Sequence, residues 1–209
     1  GKGYHNEEWY VPGKYLTHDS CYWSRSYIDP FSKEPMVTCT VPILKQDQYS
    51  GAATIDMKLE GLHNFLKKQS ENIGGYVFLI DQNNKFITYP ETKYIRKSDN
   101  TDLIDINELA LNHPDFEKLA NRLVKISQNT ATIPPEALEQ HQNMARYFDQ
   151  QSYQVNEQQA STMAAAIIDP VKGQLNDSYL LDSFQLDHDF LLHEKVNISV
   201  FHVPESYWK

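Results

Sequence analysis

Basic charge is scarce in this 209-residue chain: 19 Lys and Arg stand against 28 Asp and Glu, a formal charge of −9. Nucleic acid and anionic membrane surfaces both need a basic footprint, so both are disfavoured as main partners. Glycine is scarce as well, at 8 residues. No phosphate-cradling loop, GxGxxG, GxSxG or HExxH motif occurs, which leaves no nucleotide loop, nucleophile elbow or zinc helix on which to found an enzyme. Long apolar runs are absent. The longest, Tyr76 to Ile80 and Met163 to Ile168, fall far short of the ~20 residues of a membrane-spanning helix, and no signal peptide is present. Only two cysteines occur, Cys21 and Cys39, with no CxxC and no Cys/His zinc spacing. They lie in β-like runs flanking one turn. Two readings fit them: half-buried free thiols, or a cross-strand disulfide in an oxidising compartment.

What is present is enough for a core. Hydrophobic residues are 40 % and charged residues 22 %, which suits one large domain or two small ones. Aromatic residues reach 12 %, with 13 Tyr, a supply that fits stacking pockets or wet interfaces. The chain opens on Gly-Lys-Gly and closes on Ser-Tyr-Trp-Lys directly after a β-like run, and it reads as a piece of something longer.

Residues 19–56 predict a three-stranded antiparallel meander. Residues 19–28 and Met36 to Ile43 are β-rich, separated by the turn-forming run Asp29-Pro30-Phe31-Ser32-Lys33-Glu34-Pro35. A second turn, Lys45 to Gly51, leads into a third strand, Ala52 to Asp56. Residues 57–72 switch to helical spacing through Leu59, Leu62, Phe65, Leu66 and Gln69, and Gly74-Gly75 stops that helix. Tyr76 to Ile80 and Phe86 to Tyr89, joined by an Asn/Asp-rich turn, read as a hairpin. Residues 91–112 read as irregular, and Pro114 to Ile126 as a helix. A second helix begins at Pro134-Pro135 and extends toward Gln159, or gives way to a Gln/Ser-rich loop over 149–162. Ala164 to Pro170, Tyr179 to Leu186 and Val196 to Val203 read as strands. Strands neighbour strands, so the fold class is α+β with antiparallel sheets. The β units on both sides of the 57–72 helix suggest two modules, 1–73 and 74–209.

Chemistry concentrates in residues 4–56. Residues two apart in a strand share a face, so Trp23, Arg25, Tyr27 and Asp29 point the same way. Together with Trp9-Tyr10 and Asp56 they fit a small cage for a cation, aromatic faces attracting an ammonium and carboxylates neutralising it. They equally fit a Tyr/Trp-rich solvent face on which Asp29 caps its own turn. The turn holding Asp187, His188, Asp189 and His193 is open to two readings as well, a divalent-metal site or a solvated turn.

The run Trp23-Ser24-x-x-Tyr27-x-Asp29-Pro30, then Val37-Thr38-x-x-Val41-Pro42-Ile43, then Gly51-x-x-x-Ile55-Asp56, resembles the membrane-distal module of double Cache sensor domains. Gly75-Tyr76-Val77-Phe78-Leu79-Ile80-Asp81 with Phe86-Ile87-Thr88-Tyr89-Pro90 is similar to the opening of the membrane-proximal module, and residues 200–209 to its penultimate strand. The resemblance implies two PAS-like modules in tandem, each an antiparallel sheet flanked by helices, without the family's long N-terminal helix. It implies the periplasmic or extracellular sensor of a bacterial transmembrane receptor, non-enzymatic itself, without a cofactor, homodimeric in the full receptor and joined to the membrane only through helices outside this stretch. The output would be a diguanylate cyclase, a histidine kinase or a chemotaxis domain, the first being favoured. Amino-acid-binding members carry an Arg-x-Trp-Tyr element, a Tyr-x-Asp element and a later Asp. Trp9, Tyr10, Tyr27, Asp29 and Asp56 match, while Glu7 stands at the Arg position. Glu cannot form the bidentate pair with a carboxylate that Arg forms. The resemblance thus implies a ligand with an amine and no α-carboxylate, unless Arg25 supplies the missing cation.

Overall fold

The computed structural model describes residues 3–17, 21–81, 83–130, 133–153, 155–168 and 179–202. Its strands are β1 (Tyr22–Trp23), β2 (Tyr27–Ile28), β3 (Pro35–Lys45), β4 (Gln48–Lys58), β5 (Leu79–Ile80), β6 (Phe86–Thr88), β7 (Tyr179–Asp189) and β8 (Glu194–His202). Its helices are α1 (Leu59–Ser70), α2 (Ile106–Asn112), α3 (Glu117–Thr130), α4 (Leu138–Gln151) and α5 (Glu157–Ile168). β1 and β2 pair antiparallel with β3, β4 pairs with β3, and β5–β6 and β7–β8 are antiparallel hairpins. The fold is α+β. Contacts divide it into two compact units, Gly1–Arg25 with Val37–Met57 and Ala131–Gln174, and Ser26–Met36 with Lys58–Thr130 and Leu175–Lys209. These units interleave along the chain, whereas the division expected from the sequence runs 1–73 and 74–209.

In the first unit, β1 sets Tyr22 opposite Thr40 and Trp23 opposite Cys39. β3 reverses into β4 through Gln46 and Asp47 alone, both at positive φ, 52° and 59°. This primed turn matches the right-handed strand twist, and Asp tolerates the left-handed region better than most residues. The turn is therefore tighter than the expected Lys45–Gly51, and Gln48 to Ser50 belong to the strand. Two helices supply the apolar mass. α4 begins just after Pro134-Pro135 and buries Met144 and Phe148, four residues apart on one face. α5 is entered through a reciprocal capping box: Gln159 N–H donates to Asn156 Oδ1 (2.9 Å) and Asn156 N–H to Gln159 Oε1 (3.0 Å). Ala160, Met163 and Ala164 of α5 join Val11, Leu16, Tyr22, Met144 and Phe148 in one core. The expected strand from Ala164 is thus helix as far as Ile168; an apolar run of this length has no periodicity to separate the two, and its alanines and methionine favour helix. Residues 169–170, 18–20 and 203–209 of the expected elements lie outside the described residues.

In the second unit, β2 sets Tyr27 opposite Met36 and Ile28 opposite Pro35. α1 follows the expected helix but not its expected face. Phe65 is 58 % exposed and Gln69 exposed, while Leu59 and Ser70 are buried and Leu62, His63 and Leu66 half-buried. The hairpin β5–β6 turns on Asp81, whose Oδ1 accepts from Asn83 N–H (2.8 Å) and Lys85 N–H (2.9 Å). α2 lies in the stretch expected to be irregular. Its start is a capping box, Asp105 to Glu108, a signature legible as Asp-x-x-Glu before an apolar residue pattern. Lys85, 8 % exposed, donates to Asp102 Oδ1 (2.7 Å) and Ser26 O (2.5 Å). Asp189 is wholly buried and accepts from Tyr76 Oη (2.6 Å), Leu191 N–H (2.9 Å) and Leu192 N–H (2.8 Å). Burial raises the Tyr76 and Tyr89 phenols above their ordinary value.

Cys21 and Cys39 are joined by a disulfide, Cα to Cα 5.8 Å, which decides between the two readings of the thiols. Closing a loop of 18 residues stabilises by about 3 kcal/mol. Cys21→Ser with Cys39→Ser is therefore expected to lower Tm by about 6–12 °C in a calorimetric scan, and reductant should do the same to the wild type only. Free thiol titrated in the unreduced native protein would contradict the bond.

Candidate ligand site

Two threonines of β3, Thr38 and Thr40, sit two residues apart and so share a face of the strand. Both are buried, at 1 % and 0 % exposure. Thr40 Oγ1 donates to the carbonyl of Trp9 (2.6 Å), and Thr38 Oγ1 donates to Asp56 Oδ1 (2.8 Å). One strand thereby anchors the segment bearing Trp9 and Tyr10 and orients the Asp56 carboxylate of β4, which is itself exposed.

Trp9 and Tyr10 stand in a ring cluster. Tyr4 stacks on His5 (centroids 4.0 Å) and on Trp9 (6.4 Å), and Tyr10 meets Tyr4, His5, Trp9 and Tyr49 edge-on at 5.0–6.3 Å. Burial pushes the Tyr49 phenol up. A Cβ at Gly13 would come within 3.1 Å of Tyr49 Oη, so glycine there permits the close approach. The segment is tied at its other side too: Tyr153 N–H donates to Asn6 O (2.8 Å) and Asn6 Nδ2 to Gln151 O (2.9 Å).

Glu7 is exposed, and its carbonyl accepts from Tyr10 N–H (2.9 Å) and Val11 N–H (3.1 Å). The neighbouring Glu8 engages Arg25 instead. Arg25 Nε lies 2.8 Å from Glu8 Oε2, Arg25 N–H donates to Glu8 Oε1 (3.0 Å), and Tyr22 Oη donates to the same oxygen (3.3 Å). The two charged side chains are only 11 % and 14 % exposed. A guanidinium neutralised at this depth has its charge spent on Glu8 rather than on a ligand carboxylate.

Residues 21–29 alternate strictly, with Tyr22, Ser24, Ser26 and Ile28 buried and Trp23, Arg25, Tyr27 and Asp29 half-buried. The expected shared face is therefore seen within each unit. In the second unit Asp29 is committed to its own turn: Oδ2 accepts from Phe31 N–H (3.1 Å) and Ser32 N–H (2.6 Å). The Ser32 amide above all holds its carboxyl below the ordinary 3.8. His188 Nδ1 meets Asp115 Oδ2 at 2.7 Å, Asp189 holds its turn, and among the described residues no group of three or more His, Cys, Asp or Glu could hold a metal ion. The sequence reading missed Glu8, Thr38, Thr40, Tyr4, His5 and Tyr49. The Thr-x-Thr spacing within a β-branched run was the one signal available.

Two measurements test this geometry. Glu8→Gln leaves the Arg25 charge uncompensated and is expected to cost about 3–5 kcal/mol, read as a lowered urea midpoint at unchanged m-value; an unshifted midpoint would mean the pair carries no weight. Asp29, with its folded pKa depressed, contributes stability that is full above the ordinary value of 3.8 and lost as pH falls through the lower folded value. Asp29→Asn keeps an acceptor for the turn and removes the charge, so it should flatten the acid limb of a Tm-against-pH curve and leave neutral pH almost unchanged.

Residues 1–64 match the family model described as the methyl-accepting chemotaxis protein-like, first PDC sensor domain. The methyl-accepting chemotaxis protein McpC of Bacillus subtilis (strain 168) is 27 % identical over 77 residues, covering 37 % of this chain and 12 % of that protein. Among solved structures, the ligand-binding domain of the Pseudomonas fluorescens chemoreceptor CtaA, in complex with L-valine, is 19 % identical with a TM-score of 0.41, covering 54 % of this chain and 46 % of that one. That of the Pseudomonas aeruginosa PAO1 chemoreceptor PctC, in complex with GABA, is 24 % identical with a TM-score of 0.39, over 52 % and 44 %. The chain spans less than half the length of each of these, and its first 64 residues are those of a protein similar to chemoreceptor PDC sensor domains.

Proposed function

We propose that this chain is the extracytoplasmic ligand-sensing part of a bacterial transmembrane chemoreceptor, and that its N-terminal half binds a small ligand bearing an amine. The sensor match over residues 1–64 and the chemotaxis protein among its relatives support a chemotaxis output over the diguanylate cyclase first favoured, and over a histidine kinase. Among the described residues no helix is long and apolar enough to cross a membrane; the anchoring helices of such a receptor, and its homodimeric pairing, belong to the proposal. So does the division into a distal module, 1–73, and a proximal one, 74–209.

The observation that carries the ligand class is the Glu8–Arg25 pair. With Arg25 neutralised and Glu7 where the resembling family has arginine, the half of the site suited to a carboxylate is missing. The half suited to an ammonium remains in the first unit, in Trp9, Tyr10 and Asp56 with Trp23 as a further contributor. Aromatic faces and an exposed carboxylate attract a cation whose own counter-ion has been left in water. Commitment of Asp29 to the Phe31 and Ser32 amides favours one other reading, an interaction module that signals through protein contacts without a ligand.

A thermal-shift series with diamines, biogenic amines and quaternary ammonium compounds, set against α-amino acids, separates these. An amine present at a hundred times its Kd is expected to raise Tm by about 5–11 °C. Asp56→Asn, which retains the Thr38 acceptor and loses the charge, should remove the shift. Stabilisation by amino acids in preference to amines would overturn the ligand class, and a flat series the ligand itself.

A further inference from the structure

The second unit contains a cavity of about 410 Å³ that shares none of the residues of the candidate ligand site, within the size range of small-molecule pockets. Its floor is apolar, formed by Leu59, Ile87, Ile95 and Leu103, each 2–3 % exposed. Polar side chains, Glu60, His63, Asn64 and Thr92 among them, line the rest of it, and two further polar groups matter most. Thr88 is 2 % exposed, and its Oγ1 is buried without a hydrogen-bond partner among the described residues. Buried hydroxyls are nearly always satisfied, so one lining a cavity without a partner points to something that enters it. The other is Arg96, half-buried and without an ion-pair partner among the described residues. The cavity's lysine, Lys58, is by contrast already paired with Glu34. The first turn of α1 borders the same space, and no side chain caps it; its amide groups add positive potential.

We propose that this cavity binds a small aliphatic monocarboxylate, its carboxylate held by the Arg96 guanidinium and the Thr88 hydroxyl and its chain laid over Leu59, Ile87, Ile95 and Leu103. A guanidinium selects a planar anion through paired N–H donors. The apolar floor selects against phosphate and sulfate, which present no hydrocarbon to cover it. The site is independent of the proposed amine site, and opposite to it in charge preference.

Titration calorimetry of the whole chain with butyrate, and with n-butylamine as the charge-reversed control, tests it. Butyrate is expected to bind the wild type, and Arg96→Gln to weaken it at least about tenfold, as loss of a charged hydrogen bond does. Thr88→Val removes the hydroxyl at nearly constant shape. It should weaken butyrate several-fold while Tm holds or rises, since an unsatisfied buried group is lost, and this keeps the proposal testable should Arg96→Gln fold poorly. Asp56→Asn should leave butyrate binding unchanged, whatever it does to amines. Absence of butyrate binding up to about 10 mM, equal affinity in wild type, Arg96→Gln and Thr88→Val, or loss of butyrate binding in Asp56→Asn alone would each overturn it. Failure of the amine series would leave these outcomes unaffected.

Discussion

The pair of buried hydroxyls on β3 organises the first unit. A threonine inside a sheet must place its hydroxyl on an acceptor, because an unmet one costs about 1–3 kcal/mol. Thr40 meets this need on the Trp9 carbonyl and Thr38 on the Asp56 carboxylate. Each bond satisfies the strand and positions a different part of the aromatic and acidic surface around it. Packing and site geometry are thus one set of interactions, reinforced by the disulfide at Cys39, the residue between the two threonines.

Charges in the interior follow one rule. Arg25 is met by Glu8, Lys85 by Asp102 and a carbonyl, and Asp189 by a phenol and two turn amides. In each case burial is tolerated because the counter-group and its hydrogen bonds are supplied by nearby backbone or side chains. Against that background the exposed Asp56 oriented by a buried threonine, and Arg96 and Thr88, which lack an ion-pair and a hydrogen-bond partner respectively among the described residues, are the groups on which the two proposed sites rest.

Much of the architecture was legible from pattern. The turn formers at Asp29–Pro35 and Asp81–Lys85, the 3.6 period near 57–72 and the Pro starts at Pro114 and Pro134-Pro135 each found their element, because local sterics and hydrogen bonding specify them. The misreadings have common causes. Met163 to Ile168 has no periodicity, so its helical state depended on packing against Met144 and Phe148. Residues 106–112 are short, and their capping box outweighs their weak apolar pattern. Phe65 matched the helical spacing yet faces water, since the buried stripe of α1 runs through Leu59 and Ser70.

For the site, residue types and period two led to the expectation that Trp23, Arg25, Tyr27 and Asp29 share a face and that Trp9, Tyr10 and Asp56 join them; the structure shows the alternation of burial over residues 21–29. Those are properties of the backbone, and they are written in the order of the residues. Which charge answers which was settled by folding. Arg25 turned to Glu8 from 17 positions away, Asp29 to the amides of its own turn, and Cys21 to Cys39. Electrostatic partnership depends on distance through space, and the chain order alone leaves that distance open until the sheet and helices bring the groups together.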